Sequence, residues 1–441
     1  MHTCPDMTED MPQDAMEPAA ADEYHAPPSE GDSRPRGAMS DRPTVCWNAI
    51  VKNESKIIRR CMDALADQID YWVVVDTGST DGTQDIIEEY MAERGIPGEL
   101  YDRPWVNFGH NRTQALRLAE NKADYILLCD ADMMLEVRDP NWRSQLNDDA
   151  YTVLQRHGDQ GLRYRNMRVI NARLTGAKRW RYRGSTHEFC DNMTSAAVRS
   201  KPFDGIEFLD RGDGGSKSEK FKRDIALLEN DLKEFDRLNK AVRERPDDEQ
   251  LKAEFKEAKQ MLPRVLFYLG QSYLDDGEHL ERAIVAYKKR IAIGGWKQEL
   301  FYSYYRIGQC LERLKRDTVE IQEAYLRAFQ TEPTRIESLL RLVRHYHSKK
   351  LYHLGWLIAS TAKDMPMPEG LFIEAAAYKH RMLDEYSVAC YWTGRHQEAI
   401  AVCRHLLASP DVPKREHERI LRNLNHSLKA VGQPAEVLAS D

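Results

Sequence analysis

Tyr125-Ile126-Leu127-Leu128-Cys129-Asp130-Ala131-Asp132 is the stretch on which the reading of this chain turns. Five apolar or aromatic residues in a row predict a strand buried on both faces, as in a parallel sheet. Two carboxylates one residue apart then stand where the strand ends, and ligands of open α/β sheets bind beyond the carboxyl ends of the strands. Paired acids at the edge of a low-dielectric core call for a neutralising cation. A hard divalent ion that also grips a diphosphate meets that need. The competing reading is a cap, with Asp132 as the N-cap of a following helix.

The same grammar occurs twice upstream. Residues 44–51 are a β-rich run ending in Lys52-Asn53-Glu54-Ser55, with a helical pattern over 57–68. Residues 71–75 are a second buried-strand run, ending in Asp76-Thr-Gly-Ser-Thr-Asp-Gly-Thr83 before a helix over 84–94. Strand, polar loop and helix in alternation predict βαβ units and an α/β domain with a mainly parallel, Rossmann-like sheet. In the second loop Gly78 and Gly82 permit positive φ and close backbone approach, while Ser79, Thr80 and Thr83 supply hydroxyls. Asp76 stands at the strand end, where a carboxylate accepts hydrogen bonds from a base or ribose. Asp81 and Thr83 suit the capping of the next helix. The Gly-Lys-Ser/Thr element of a Walker loop is absent.

Val73-Val-Val-Asp-Thr-Gly-Ser-Thr-Asp-Gly-Thr83, preceded by Lys52-Asn53-Glu54 and followed by Asp130-Ala-Asp132, resembles the family 2 glycosyltransferases of GT-A fold. The resemblance continues through Asn107-Phe-Gly-His-Asn-Arg112 and His187-Glu188 and covers roughly residues 43–215. It implies inverting transfer from a nucleotide sugar, usually a UDP-sugar, with Mg²⁺ or Mn²⁺. By that similarity Asp76 contacts the nucleobase, with Asn53, Glu54 and Gly78 in the nucleoside-binding loops. Asp130 lies on ribose or metal, and Asp132 on the metal. Arg112, at the start of an amphipathic helix, suits a leaving diphosphate, the alternative being an ordinary surface arginine.

Inverting transfer needs a base for the acceptor's proton. Glu188 is the candidate, with His187 orienting it or serving as a further metal ligand; a purely structural His–Glu pair is the alternative. Before it, residues 151–190 read as short alternating strands with basic residues, the mixed-sheet region that holds an acceptor in this fold. Trp180 and Tyr182 there are core aromatics or sugar-stacking rings. Many relatives place a histidine before the Gly-rich loop 209–216, where Asp210 and Arg211 stand here. The third metal ligand therefore stays open, with Asp213 a candidate and Arg211 available to a diphosphate.

From Ser218 onward the pattern is helical. A charged hairpin over 239–260 precedes units resembling the tetratricopeptide pattern of paired helices. Their marker residues are Gly277, Ala283 and Tyr287; Gly308, Tyr325 and Ala328; Tyr346, Gly355 and Ala359; Gly394, Ala399 and Cys403. With Gly277, Lys350, Gly394 and Gly432 as matched turns, the gaps are 73 (two units), 44 and 38. They scatter around a period of ~34 residues, which requires irregular helices. The expected organisation is an acidic disordered tail (1–40), the transferase domain (41–216), a helical connector (217–260) and an all-α tetratricopeptide-like solenoid (261–441). Such an array offers a concave surface to a peptide or protein, or a route to homo-oligomers.

Composition narrows the class. The first 40 residues carry nine acids and two bases, so the rest of the chain balances 62 acids against 62 bases. That neutrality argues against nucleic acid as a partner. No run approaches the ~18 apolar residues of a membrane span, no signal-peptide staging is visible, and eight cysteines show no framework spacing. A cytoplasmic, soluble protein is expected. The reading is thus a metal-dependent glycosyltransferase acting on a peptide, protein or glycan. The alternatives are a repeat scaffold carrying an inactive transferase domain, and a nucleotidyltransferase, whose signature loop is missing.

Overall fold

A computed structural model describes residues 42–158, 162–193, 198–214, 220–370 and 372–438. The expected tail and the end of the loop 209–216 lie outside them. Two compact units divide the chain, Ser29–Tyr268 and Leu269–Asp441.

The first unit is built on an eight-stranded sheet. Its strands are β1 (Val45–Val51), β2 (Tyr71–Asp76), β3 (Gly98–Asp102), β4 (Tyr125–Leu128), β5 (Met133–Val137), β6 (Ala150–His157), β7 (Leu162–Asn171) and β10 (Ser200–Asp210). Their order is β3-β2-β1-β4-β7-β6-β10-β5. The β3-β2-β1-β4 half is wholly parallel, while β7 and β5 run antiparallel to their neighbours. A separate hairpin pairs β8 (Trp180–Arg183) with β9 (Phe189–Asn192). The mixed region expected after the acid pair is therefore present.

The continuous apolar runs are explained by burial on both faces. Trp47, Val74 and Leu127 enter one core, covered by α1 (Ile58–Leu65) and α2 (Thr83–Glu93). Cys46, Val73 and Ile126 enter the other, beneath α3 (Phe108–Ala119). Asn48, in the middle of β1, is buried but satisfied: its amide donates to Val73 O at 3.1 Å and Ala115 O at 3.0 Å. The segment after Asp132 is strand β5, not a helix, which disposes of the capping alternative for that residue.

Two long helices complete this unit, α4 (Lys220–Glu244) and the first part of α5 (Glu249–Asp276). The expected connector is thus part of the first unit. Their fastening is polar as well as apolar, with Ser185 Oγ donating to Asp231 at 2.6 Å and Arg183 to Gln260 at 3.2 Å.

The second unit continues from α5 through α6 (Leu280–Ile293), α7 (Lys297–Arg313), α8 (Thr318–Thr331), α9 (Glu337–Ser348), α10 (Tyr352–Ala362), α11 (Met382–Trp392), α12 (His396–Ala408) and α13 (Lys414–Ala430). Every second helix ends on a left-handed residue: Gly277, Lys315, Lys350, Gly394 and Gly432. Their spacings are 38, 35, 44 and 38 residues. After four of these turns the next N–H bonds the carbonyl five residues back, as from Arg316 to Leu311 and from Arg395 to Cys390. That is the Schellman helix ending, repeated. Lys315 is the turn hidden in the two-unit gap. A π-helical segment, Ala377–Arg381, falls within the long interval. Glycine packs against tyrosine across two hairpins: a Cβ on Gly270 would meet the Tyr287 ring at 2.8 Å, and one on Gly308 would run into the Tyr325 ring. These residues are packing, as read from sequence. Among the described residues no helix is long and apolar enough to cross a membrane, and the seven described cysteines are free.

Candidate active site

A cleft of about 590 Å³ opens at the carboxyl ends of β1 and β4. Asn53, Glu54, Arg112, Asp130, Asp132, His187 and Glu188 all line it, so the fold brings these sequence candidates together. Asp76 and Gly78 are outside its wall and build the loop that carries Thr77 into it.

That loop is organised around a buried carboxylate. Asp76 is fully buried, and its Oδ1 accepts the N–H groups of Gly78 at 2.8 Å and Ser79 at 2.7 Å. Its Oδ2 is buried with no hydrogen-bond partner. A buried oxygen of this kind is costly until a donor reaches it. Gly78, at φ +103°, allows the two N–H groups to converge. Asn53, left-handed at φ +57°, ties the neighbouring loop to this one by accepting from Thr80 N at 2.8 Å. Glu54 N donates to Thr83 Oγ1 at 2.8 Å, and its carbonyl accepts from Ile57 and Ile58 at the start of α1. The Asp81 carboxyl is exposed, and against desolvation it is drawn down to about 2 by hydrogen bonds from Thr83 and Ser55.

The acid pair divides its labour. Asp130 Oδ1 lies 2.6 Å from Arg112 Nη1, and its Oδ2 lies 3.5 Å from Arg168 Nη1. Burial would raise the Asp130 carboxyl, yet these two guanidinium groups hold it below the usual range. A polar chain then follows the strand order. Arg168 on β7 donates to Gln155 on β6 at 2.8 Å, and Gln155 donates to Asp210 on β10 at 2.9 Å. Among the described residues no cation pairs directly with Asp132, and the Arg60 charge reaches it from farther off. Burial, Asp130 and Asp210 push its carboxyl up to about 6. The β5–β10 register, Met133 against Asp210, brings this third acid alongside. Gly214 closes the group, since a Cβ there would stand 3.3 Å from Asp132 Oδ2 and from Glu54 Oε1. Asp213, the other ligand candidate, is committed to Arg60 at 2.7 and 2.9 Å.

Glu188 meets Arg112 from the far side, Oε1 to Nε at 2.7 Å, so one guanidinium joins it to Asp130. His187 is left-handed at φ +50°. Burial, with Lys220, Arg264 and Arg223 nearby, holds its imidazole neutral, with the pKa pushed down to about 3. Trp180 is a core residue, its indole donating to Asn171 O at 2.9 Å, and Tyr182 lies 5.6 Å beneath the Arg112 guanidinium.

All-oxygen donors suit Mg²⁺ or Mn²⁺. Asp132, with Asp210 and Glu54 nearby, presents that chemistry with a carboxyl that its acidic neighbours raise. Among the described residues the one close-set group of three potential ligands is Asp276, Glu278 and His279, in the second unit and not among the residues that line this cleft.

Sequence reasoning missed several wall residues. Trp105 and Phe108 form an edge-to-face pair at 4.7 Å, with Arg223 4.9 Å over Phe108. Phe108 was visible within a quoted motif. Lys220 and Arg223 gave no signal, because only tertiary packing brings α4 to the cleft.

Residues 49–201 match the family described as Glycosyl transferase family 2. The first unit therefore carries a family 2 glycosyl transferase domain, as the motifs led one to expect. The chain is 31% identical over 179 residues to a TPR repeat-containing protein of Synechococcus elongatus, covering 38% of this chain and 40% of that one. It is 35% identical over 94 residues to the SPbeta prophage-derived glycosyltransferase SunS of Bacillus subtilis, covering 21% of each. The chain thus spans well under half the length of either relative. The S. aureus TarS structure overlaps 64% of this chain and 55% of its own at 14% identity and a TM-score of 0.31, too low to bear on fold or function.

Proposed function

We propose that this protein is an inverting glycosyltransferase that moves a sugar from a UDP-sugar to a nucleophile on a peptide or protein held by the helical repeat unit. One observation carries the reading. In the segment matching the family, an orphaned buried carboxylate oxygen (Asp76) and a carboxyl raised by its acidic neighbours (Asp132) stand at the ends of parallel strands, and an acid held by arginine (Glu188) lines the same cleft as Asp132.

In this reading Asp76 Oδ2 accepts a nucleobase N–H, and the Asn53–Glu54 and Gly78 loops seat the nucleoside. Asp130, already held by two arginines, faces the ribose and fixes Arg112. Asp132, aided by Asp210 and Glu54, would hold the divalent cation, and His187, in the same cleft, would be available as a neutral nitrogen ligand. When bound, that cation supplies positive charge to the departing diphosphate. Arg112 engages Glu188 through Oε1, which leaves Oε2 to take the acceptor's proton. The acceptor atom bonds to the anomeric carbon from the face opposite the diphosphate. The carbon–oxygen bond to the diphosphate breaks, and the nucleoside diphosphate leaves with that electron pair.

The test is incubation of the full chain with a panel of nucleotide sugars and Mn²⁺, reading released nucleoside diphosphate with and without a peptide library. UDP release from one donor, lost in Asp132→Ala, supports the reading. If no donor is turned over and none raises the melting temperature, it fails.

A further inference from the structure

The run from Arg181 to Glu188 is fastened to α4 and α5, two helices outside the residues that match the family. Arg181 pairs with Glu257 at 2.8 Å, and Thr186 Oγ1 donates to Asp224 at 3.1 Å. The grip is closest at His187. Its carbonyl accepts two hydrogen bonds from Arg264, at 2.9 Å from Nε and 2.7 Å from Nη2. Its imidazole lies flat on the Tyr268 ring, with centroids 3.9 Å apart and planes within 8°. Arg264 in turn sits 4.9 Å over Tyr268 and 5.0 Å over Phe189, so the clamp is itself braced by the rings it separates.

What the clamp holds is a left-handed residue. His187 takes φ +50°, a left-handed region uncommon for residues other than glycine, which histidine, like asparagine and aspartate, enters more often than most. Such conformations persist only where the surroundings over-determine them, and they cluster at functional sites. The peptide that follows delivers Glu188 to Arg112 at 2.7 Å. A loosened His187 would release Glu188 from that position.

We propose that Arg264 and Tyr268 are positioning residues for the transfer reaction, holding the His187–Glu188 turn in its reactive geometry. This rests on the reading of Glu188 as the proton acceptor. Neither residue touches the reacting atoms. Their effect belongs in the rate of the chemical step and not in donor affinity.

The test uses the full chain with the donor found active in the panel. It compares Y268L, Y268F, R264M, R264K, H187G and Y268L/H187G for kcat and KM, with UDP affinity by calorimetry and melting temperature for each. Misplacement of a reacting group by about 1 Å costs up to about a hundredfold, so Y268L and R264M are expected to lose about tenfold or more in kcat, with UDP affinity within about twofold of the parent. Y268F keeps the stacked ring and restores most of the rate. R264K keeps the charge without the two-pronged donor and falls between. In H187G the left-handed backbone is unstrained and the stacking partner is gone, so adding Y268L should change kcat little further. Two results overturn the proposal: a Y268L kcat within about twofold of the parent, or the same fold-loss with and without H187G, which marks α5 as mere scaffolding. If the parent turns over no donor and binds no UDP, the functional reading falls first and takes the positioning role with it.

Discussion

Arg112 Nε lies 2.7 Å from Glu188 Oε1, although 76 residues separate them in sequence. The same guanidinium reaches Asp130 Oδ1 at 2.6 Å, so two acids at opposite sides of the cleft share one cation. A planar fork fixes the directions of two carboxylates at once, which the rotatable point charge of an ammonium does not.

R112M leaves both acids without that cation. Stripping one partner from a buried ion pair costs about 3–5 kcal/mol, and the open cleft places R112M near the lower end. Urea unfolding of the variant against the parent measures this. R112K should keep most of the stability yet lose about a hundredfold in donor turnover, because the point charge does not orient both acids.

Asp132 gives the protein a pH signature. Its folded-state pKa, pushed up to about 6, stands above the ordinary value of 3.8, so the protonated form is favoured by folding. That contribution is complete below about pH 4 and is lost as pH rises through about 6, a loss of at most about 3 kcal/mol. D132N lacks this titration. It should match the parent near pH 4 and exceed it in stability at pH 7, and Mn²⁺ should raise the melting temperature of the parent alone. A constant difference between the two proteins from pH 4 to pH 7 would contradict the assignment.

Asp76 supplies a binding test separate from catalysis. In D76N one oxygen still accepts from Gly78 and Ser79, so the loop survives, while the orphan acceptor becomes a donor. UDP affinity measured by calorimetry should fall by about 1–3 kcal/mol, with the circular-dichroism spectrum unchanged. Unaltered UDP affinity would remove Asp76 from the nucleotide site.

The repeat unit is tested by a single methyl group. In G308A the new Cβ would run into the Tyr325 ring, which is fully buried. Overpacking of this kind costs about 1–3 kcal/mol. A lower melting temperature with UDP affinity preserved is expected.

Much of the first unit was legible because its signals are local. An apolar run buried on both faces identifies itself by composition, and the loops after β1, β2 and β4 carry their polar residues at the strand ends. The helical repeats were legible through small and aromatic residues at regular spacing. Lys315 escaped notice in the two-unit gap, although the Arg316 N–H after it bonds Leu311 O just as the N–H groups after Lys350, Gly394 and Gly432 bond the carbonyls five residues back. The role of α4 and α5 escaped for another reason. Their charged, periodic sequence describes a helix, and nothing in it names the surface that helix will cover.

Sequence alone determined the candidate residues: Asp76, Arg112, Asp130, Asp132, His187 and Glu188 were all named from strand ends and motifs. Only the tertiary structure decided how they differ. Asp130 is neutralised because strand order sets Arg168 beside it and α3 delivers Arg112, while Asp132 keeps its charge problem because register sets Asp210 beside it. Electrostatic character belongs to the neighbours a side chain acquires on folding. Two aspartates one residue apart therefore enter the cleft with opposite properties.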